Sequence, residues 1–160
     1  MRPMISPDDH PFLIQLFRTT REQELARVSD WDEQQIMEFV HFQWQAQLSH
    51  YEEHYPNATH HILGLKNGRT TTPIGRLYVE REPGLIRLMD IALLTEHRGK
   101  QIGTKLIEAL LAEADKNNQT VRLFVFKENF GAHKLYKRLG FQDLGVEGGL
   151  YLKMERKSCR

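Results

Sequence analysis

This sequence has almost no cysteine: Cys159 is the only one in 160 residues. That excludes an intrachain disulfide and a multi-cysteine zinc site, and it fits a reducing compartment. Nor is there a run of about 18 apolar residues, the length a membrane-spanning helix needs. The opening MRPMISPDDH lacks the apolar centre of an export signal, so the expected location is cytoplasmic. Internal repeats, low-complexity tracts and Pro/Gly/Ser-rich linkers are missing too. What is there is ordinary globular composition, 40% hydrophobic and 27% charged, at a length that suits one domain over 1–160.

Charge of one sign is scarce only regionally. Residues 1–96 hold 9 Lys or Arg against 14 Asp or Glu, a net of −5. Residues 97–160 hold 13 against 7, a net of +6, which includes the basic tail KMERKSCR. Such asymmetry points to two different partners for the two halves.

The hydrophobic period divides the chain into elements. Met4–Ser6 reads as a first strand. Ser6 then caps a helix with Pro7 in its first position and Asp8 and Asp9 at its positive end, running to about Ala26. Ser29 or Asp30 opens a second helix. Its stripe is Met37, Val40, Trp44, Leu48, Tyr51 and Tyr55, and Pro56-Asn57 ends it. Strands are expected over 61–66, 73–80 and 85–93, with turns at Asn67-Gly68 and Pro83-Gly84. A helix over 101–116 places Leu106, Ile107, Leu110 and Leu111 on its core face. The dense apolar run Val121–Phe126 predicts a strand buried on both faces. A short helix from Asn129 to Leu139 ends at Gly140, and Leu150–Met154 reads as a last strand. The order β-α-α-β-β-β-α-β-α-β predicts a mixed α/β (α+β) domain around one twisted sheet.

The segment HRGKQIGTKL, His97–Leu106, joins a strand end to a helix start. Its glycines let backbone approach a ligand closely, and the first helical turn offers N–H groups and a positive dipole end. Together these suit phosphate, and Arg98 and Lys100 add positive charge. There is no GxxxxGK[ST] of a Walker loop, and Gly99 and Gly103 alone do not make a dinucleotide fingerprint.

Here the chain resembles the GNAT-type N-acetyltransferase superfamily. Arg98-Gly99-Lys100-Gln101-Ile102-Gly103 is similar to its [Q/R]-x-x-G-x-[G/A] motif, with Gln101 where the family usually has the first glycine. Ile91-Ala92-Leu93 stands where the preceding strand carries an apolar-Ala-Val pattern. Downstream, Asn129, Ala132, Leu135, Tyr136, Leu139, Gly140 and Phe141 match the family's Asn-x-x-Ala-x-x-Leu-Tyr-x-x-Leu-Gly-Phe signature. The motifs cover about residues 85–145, an acetyl-CoA-binding core, and leave 1–60 as a variable acceptor-side segment.

The resemblance implies a mostly antiparallel mixed sheet with helices on both faces, splayed between its fourth and fifth strands. It implies acetyl-CoA as co-substrate and direct acetyl transfer to a primary amine, with no metal. Ile91 and Leu93 would flank the pantetheine arm beside a bulge in the fourth strand, and the Leu93 main-chain N–H would point at the thioester oxygen. Main-chain groups of Arg98, Gly99, Lys100, Gln101, Ile102, Gly103 and Thr104 would hold the pyrophosphate. Asn129 and Ala132 would meet the pantetheine arm. Tyr136 stands where the family has its general acid. Among Lys134, Lys137 and Arg138, one would meet the ribose phosphate. Asp90 is a candidate base, with Glu80 and Glu82 as further ones, each set against a salt-bridge role. Gln43, Trp44 and Gln47 face either the core or the acceptor.

Rival readings are few. His50-Tyr51-Glu52-Glu53-His54 matches the inverted zinc-peptidase pattern H-x-x-E-H, without an evident third ligand. The basic half lacks a nucleic-acid reader motif, so no nucleic acid and no membrane is expected as partner. A GNAT-like module that binds CoA without catalysis remains an alternative. The resemblance admits a homodimer but marks no surface for one. Within it, the basic half suits the phosphates of CoA, and the acidic half favours a cationic amine.

Overall fold

The computed structural model describes residues 1–159; Arg160, the end of the basic tail, lies outside the described residues. Seven strands form one sheet in the order β1-β2-β3-β4-β5-β7-β6. They are β1 (Arg2–Pro3), β2 (Thr59–Asn67), β3 (Thr70–Glu82), β4 (Leu85–Leu93), β5 (Thr120–Phe126), β6 (Gln142–Glu147) and β7 (Tyr151–Arg156). The helices are α1 (His10–Thr19), α2 (Glu22–Leu25), α3 (Glu33–His54), α4 (Ile102–Asn117) and α5 (Phe130–Arg138). Among the described residues no helix is long and apolar enough to cross a membrane.

The chain divides into two compact units, residues 1–77 with 91–98, and residues 78–90 with 99–159. The first is built on α1 and α3. Leu13 and Phe17 of α1 and Val40, Trp44 and Leu48 of α3 close over Ile62 of β2, all nearly excluded from water. The expected α3 stripe holds at Val40, Trp44 and Leu48 and loosens to half-buried Met37, Tyr51 and Tyr55 at its ends. The start of α3 lies later than Ser29 or Asp30. Asp32 caps it, its carboxylate accepting the Gln35 N–H at 2.8 Å while the Gln35 side chain accepts the Asp32 N–H at 2.9 Å.

The first helix differs more from expectation. The strand takes Arg2–Pro3 rather than Met4–Ser6, the helix begins at His10, and it stops at Thr19. The reason is Asp9. Its carboxylate accepts both guanidinium nitrogens of Arg2, at 2.6 and 2.7 Å, and the Ile5 N–H at 2.7 Å. A carboxylate tied up this way holds residues 2–9 as a closed turn ahead of the helix, and the Arg2 guanidinium keeps Asp9 below the usual carboxylate range.

The second unit packs α4 and α5 on the sheet. Ile107, Leu110, Leu111 and Ala114 are the buried side of α4, while Leu106 is half-buried. Ile86 and Leu88 of β4, Val121, Leu123 and Val125 of β5, and Met154 of β7 are buried as well. β5 is not buried on both faces: Phe124 and Phe126 are exposed. The sequence expectation also missed β6, all six residues of which are exposed and whose register shifts between Asp143 and Gly145. An edge strand without a buried face leaves no hydrophobic period to read. The basic tail is partly structured, since Lys153–Arg156 belongs to β7.

Candidate functional site

The segment after β4 is shaped by two residues in left-handed backbone conformation, Gly99 at φ 73° and Gln101 at φ 62°. Such a φ suits glycine and strains a residue with a Cβ. Gln101 nonetheless takes it and becomes the residue before α4. The helical ladder starts with the Lys105 N–H on the Gln101 carbonyl at 3.0 Å, so the N–H groups of Ile102, Gly103 and Thr104 precede it. No side chain caps this end and no acidic residue lies in its first turn. An uncapped positive helix end without a carboxylate is suited to an anion. Lys100 beside it is exposed.

The Arg98 side chain has partners within the chain. Its Nε donates to the Leu93 carbonyl at 3.0 Å and its Nη2 to Thr19 Oγ1 at 3.1 Å, so its side chain binds the end of β4. The Leu94 N–H donates to the Ile74 carbonyl at 2.8 Å. Ile91, Ala92 and Leu93 are half-buried. A Cβ on Gly75 would collide with the Ala92 carbonyl and come within 2.8 Å of Leu93 Cδ2, so only glycine fits against this strand end. The sequence reading missed Gly75; a glycine inside the apolar strand Pro-Ile-Gly-Arg-Leu was the available signal.

The parallel pairing of β4 with β5 runs from Leu85↔Thr120 to Leu88↔Leu123 and goes no further, while β5 stays paired with β7 to Phe126↔Tyr151. The two strands part after Leu88 and Leu123, as the splayed sheet implied. Asp90 lies on β4 just past this point.

Tyr136 of α5 is nearly buried and edge-on to Phe141, ring centroids 5.6 Å apart. Burial pushes its phenol up to about 12, with the charge of Asp90 as a second cause. The charge of Asp90 thus reaches the Tyr136 phenol. Asn129 caps α5, its Oδ1 accepting the Ala132 N–H at 3.2 Å, which brings the two expected pantetheine residues together as a cap. Lys134, Lys137 and Arg138 are exposed on the same helix.

Other candidates resolve into structural roles. Glu80, only 3% exposed, and Glu82 both pair with Arg87, at 2.5 and 2.9 Å, which is the salt-bridge role. Trp44 is buried in the α1–α3 cluster and so faces the core. Gln47 accepts from Arg76 Nη2 at 3.3 Å, and Gln43 Oε1 is enclosed without a hydrogen-bond partner. The rings of His50 and His54 lie 4.3 Å apart on an exposed face of α3. Among the described residues no third His, Cys, Asp or Glu joins them to hold a metal.

Comparison with known proteins bears on the family and the fold. The sequence profile of the Acetyltransferase (GNAT) family matches residues 18–141. The thialysine N-epsilon-acetyltransferase of Mus musculus is 39% identical over 77 residues, 47% of this chain and 45% of that protein. The N-alpha-acetyltransferase of Saccharolobus solfataricus is 35% identical over 78 residues, 46% of this chain and 47% of that protein. The matched stretch thus spans less than half the length of these curated relatives. The crystal structure of the PaiA N-acetyltransferase of Thermoplasma acidophilum in complex with coenzyme A superposes with a TM-score of 0.64 at 22% identity, covering 96% of this chain and 95% of that one. At that identity the likeness is one of fold.

Proposed function

The chain belongs to the Acetyltransferase (GNAT) family, and from that premise we propose that it transfers the acetyl group of acetyl-CoA directly to a primary amine. The observation that carries this reading is the open start of α4. It offers an uncapped, carboxylate-free turn, entered through Gly99 and Gln101, to an anion such as the CoA pyrophosphate. The N–H groups of Ile102, Gly103 and Thr104 are the donors. The parting of β4 and β5 supports a place for the pantetheine arm. Asn129 keeps its amide N–H groups for that arm while its Oδ1 caps α5. Acetyl-CoA supplies the activated acetyl group.

In this reading the amine nitrogen attacks the thioester carbon, the C–S bond breaks, and the thiolate takes a proton. The Leu93 N–H stabilises the oxyanion, and the Arg98 bond to the Leu93 carbonyl steadies that strand end. Tyr136 donates toward sulfur. With its phenol held up at about 12, full transfer to a thiolate near pKa 8.5 is uphill by about 3–4 units. Asp90 relieves part of that. When it accepts the amine proton its charge is lost, and one of the two causes that hold the Tyr136 proton disappears. Over the turnover one proton leaves the amine and one reaches sulfur, and the phenolate left at Tyr136 is reprotonated from solvent.

The test is thiol release from acetyl-CoA over a panel of amines. Release should require an amine and rise with pH as the amine deprotonates. It should show no decline from Tyr136 below about pH 11, because the phenol stays protonated there. Tyr136→Phe should lower kcat about 100-fold and leave CoA affinity unchanged by calorimetry. No thiol release with any amine, despite CoA binding, favours the non-catalytic CoA-binding module.

A further inference from the structure

In the second unit one side of the sheet is left open. Arg156 pairs in register with Val121. Its guanidinium meets Asp115 of α4 at 2.8 Å, and its Nε would lie 3.7 Å from a Cβ at Gly140, just past α5. α4 therefore covers the side that holds Val121, Leu123 and Val125, and Gly140, just past α5, lies on that side too. Residues in register share a face, so the other side carries Phe124 beside Lys153 and Phe126 beside Tyr151. Phe124 is 45% exposed, Phe126 37% and Tyr151 45%, with the Phe126 and Tyr151 rings 6.0 Å apart.

Two features say what this face suits. The first is continuity with the splay: Phe124 is the residue of β5 next after the last β4–β5 pair, so the aromatic row begins where the strands part. The second is charge. Arg122 is held by Glu155 at 2.5 Å, Lys153 faces Glu147 at 3.8 Å, and Arg87 is held by Glu80 and Glu82. These cations are already matched, and none is spare to read a carboxylate or a phosphate on an incoming molecule. What remains is ring surface, which gains by covering an apolar body and whose faces favour an ammonium.

We propose that this face receives the acceptor, and that the acceptor is a low-molecular-weight amine borne on an apolar, preferably aromatic, body. A patch of three rings accommodates one ring-sized group rather than an extended chain. The inference rests on the acetyl-transfer reading and names its substrate class.

The experiment compares 2-phenylethylamine, ethanolamine and a phenylalanyl peptide amide as acceptors for the full chain, by thiol release from acetyl-CoA. The wild type should prefer 2-phenylethylamine over ethanolamine by about tenfold or more in kcat/KM, the worth of one apolar contact. Phe126→Ser, at an exposed position, should erase that preference by raising KM for 2-phenylethylamine more than for ethanolamine, and Phe126→Leu should restore part of it. Equal use of the two amines by the wild type overturns the inference, and so does an equal loss on both in Phe126→Ser. Preference for the peptide amide over 2-phenylethylamine overturns the low-molecular-weight class. Release with ethanolamine alone sinks this inference and spares acetyl transfer, whereas no release with any amine sinks acetyl transfer itself.

Discussion

Two long helices of this protein begin in opposite ways. α3 starts closed: Asp32 and Gln35 exchange side-chain and backbone hydrogen bonds, and Glu33 adds negative charge to the first turn. α4 starts open, with no side-chain cap, no acidic residue and a strained left-handed Gln101 before it. Both helices have the same unfilled donors and the same positive end. The difference lies in what fills them. In α3 the chain fills them itself, and the helix gains stability. In α4 no side chain fills them, which leaves a turn suited to a phosphate group.

The comparison can be broken by closing the open end. Gly103→Glu places a carboxylate in the first turn of α4, where it competes with any anion. CoA affinity, read by calorimetry, should fall about 10- to 100-fold, while the melting temperature holds or rises slightly because a negative charge suits a helix start. Unchanged affinity would remove α4 as the phosphate site. Opening the closed end should do the reverse. Asp32→Ala should cost about 1 kcal/mol in a denaturant titration and leave CoA affinity untouched. The smallest effect sharpens the comparison. Gln101→Gly relieves about 1 kcal/mol of left-handed strain against the greater entropy of a freed glycine. The expected gain is about 0.5 kcal/mol or less, with CoA affinity the same or better. A marked loss of affinity would give the Gln101 side chain a role of its own.

Much of the site was legible because its chemistry is local. A loop-to-helix junction is written in consecutive residues, so Gly99 to Thr104 could be located from their order alone. The same holds for α5, whose cap Asn129 and buried Tyr136 lie seven positions apart on one short helix. Arg98 was legible as a cation but not in its use. Its bond to the Leu93 carbonyl is close in sequence, but the bond to Thr19 spans 79 positions, and a charge by itself does not say which carbonyl it will meet. Glu80 and Glu82 were open between base and salt bridge until Arg87 was seen between them.

The apolar run Val121–Phe126 marks the division most sharply. Sequence determined that it is a strand, because a dense run of β-branched and aromatic residues forms little else. It could not tell that Val121, Leu123 and Val125 are covered while Phe124 and Phe126 are bare. That depends on α4 packing on one side, with Gly140 just past α5 beside it, which Arg156, Asp115 and Gly140 show from three separate parts of the chain. The edge strand β6 is the converse case: with no buried face it has no pattern of its own, and it exists because β7 offers it a partner. Sequence alone fixed the local elements and the phosphate-suited turn, since period, caps and turn residues act over a few positions. Only the tertiary structure decided which faces stay open and which charges are already matched. Those are properties of pairs of surfaces, and a single segment carries just one side of each pair.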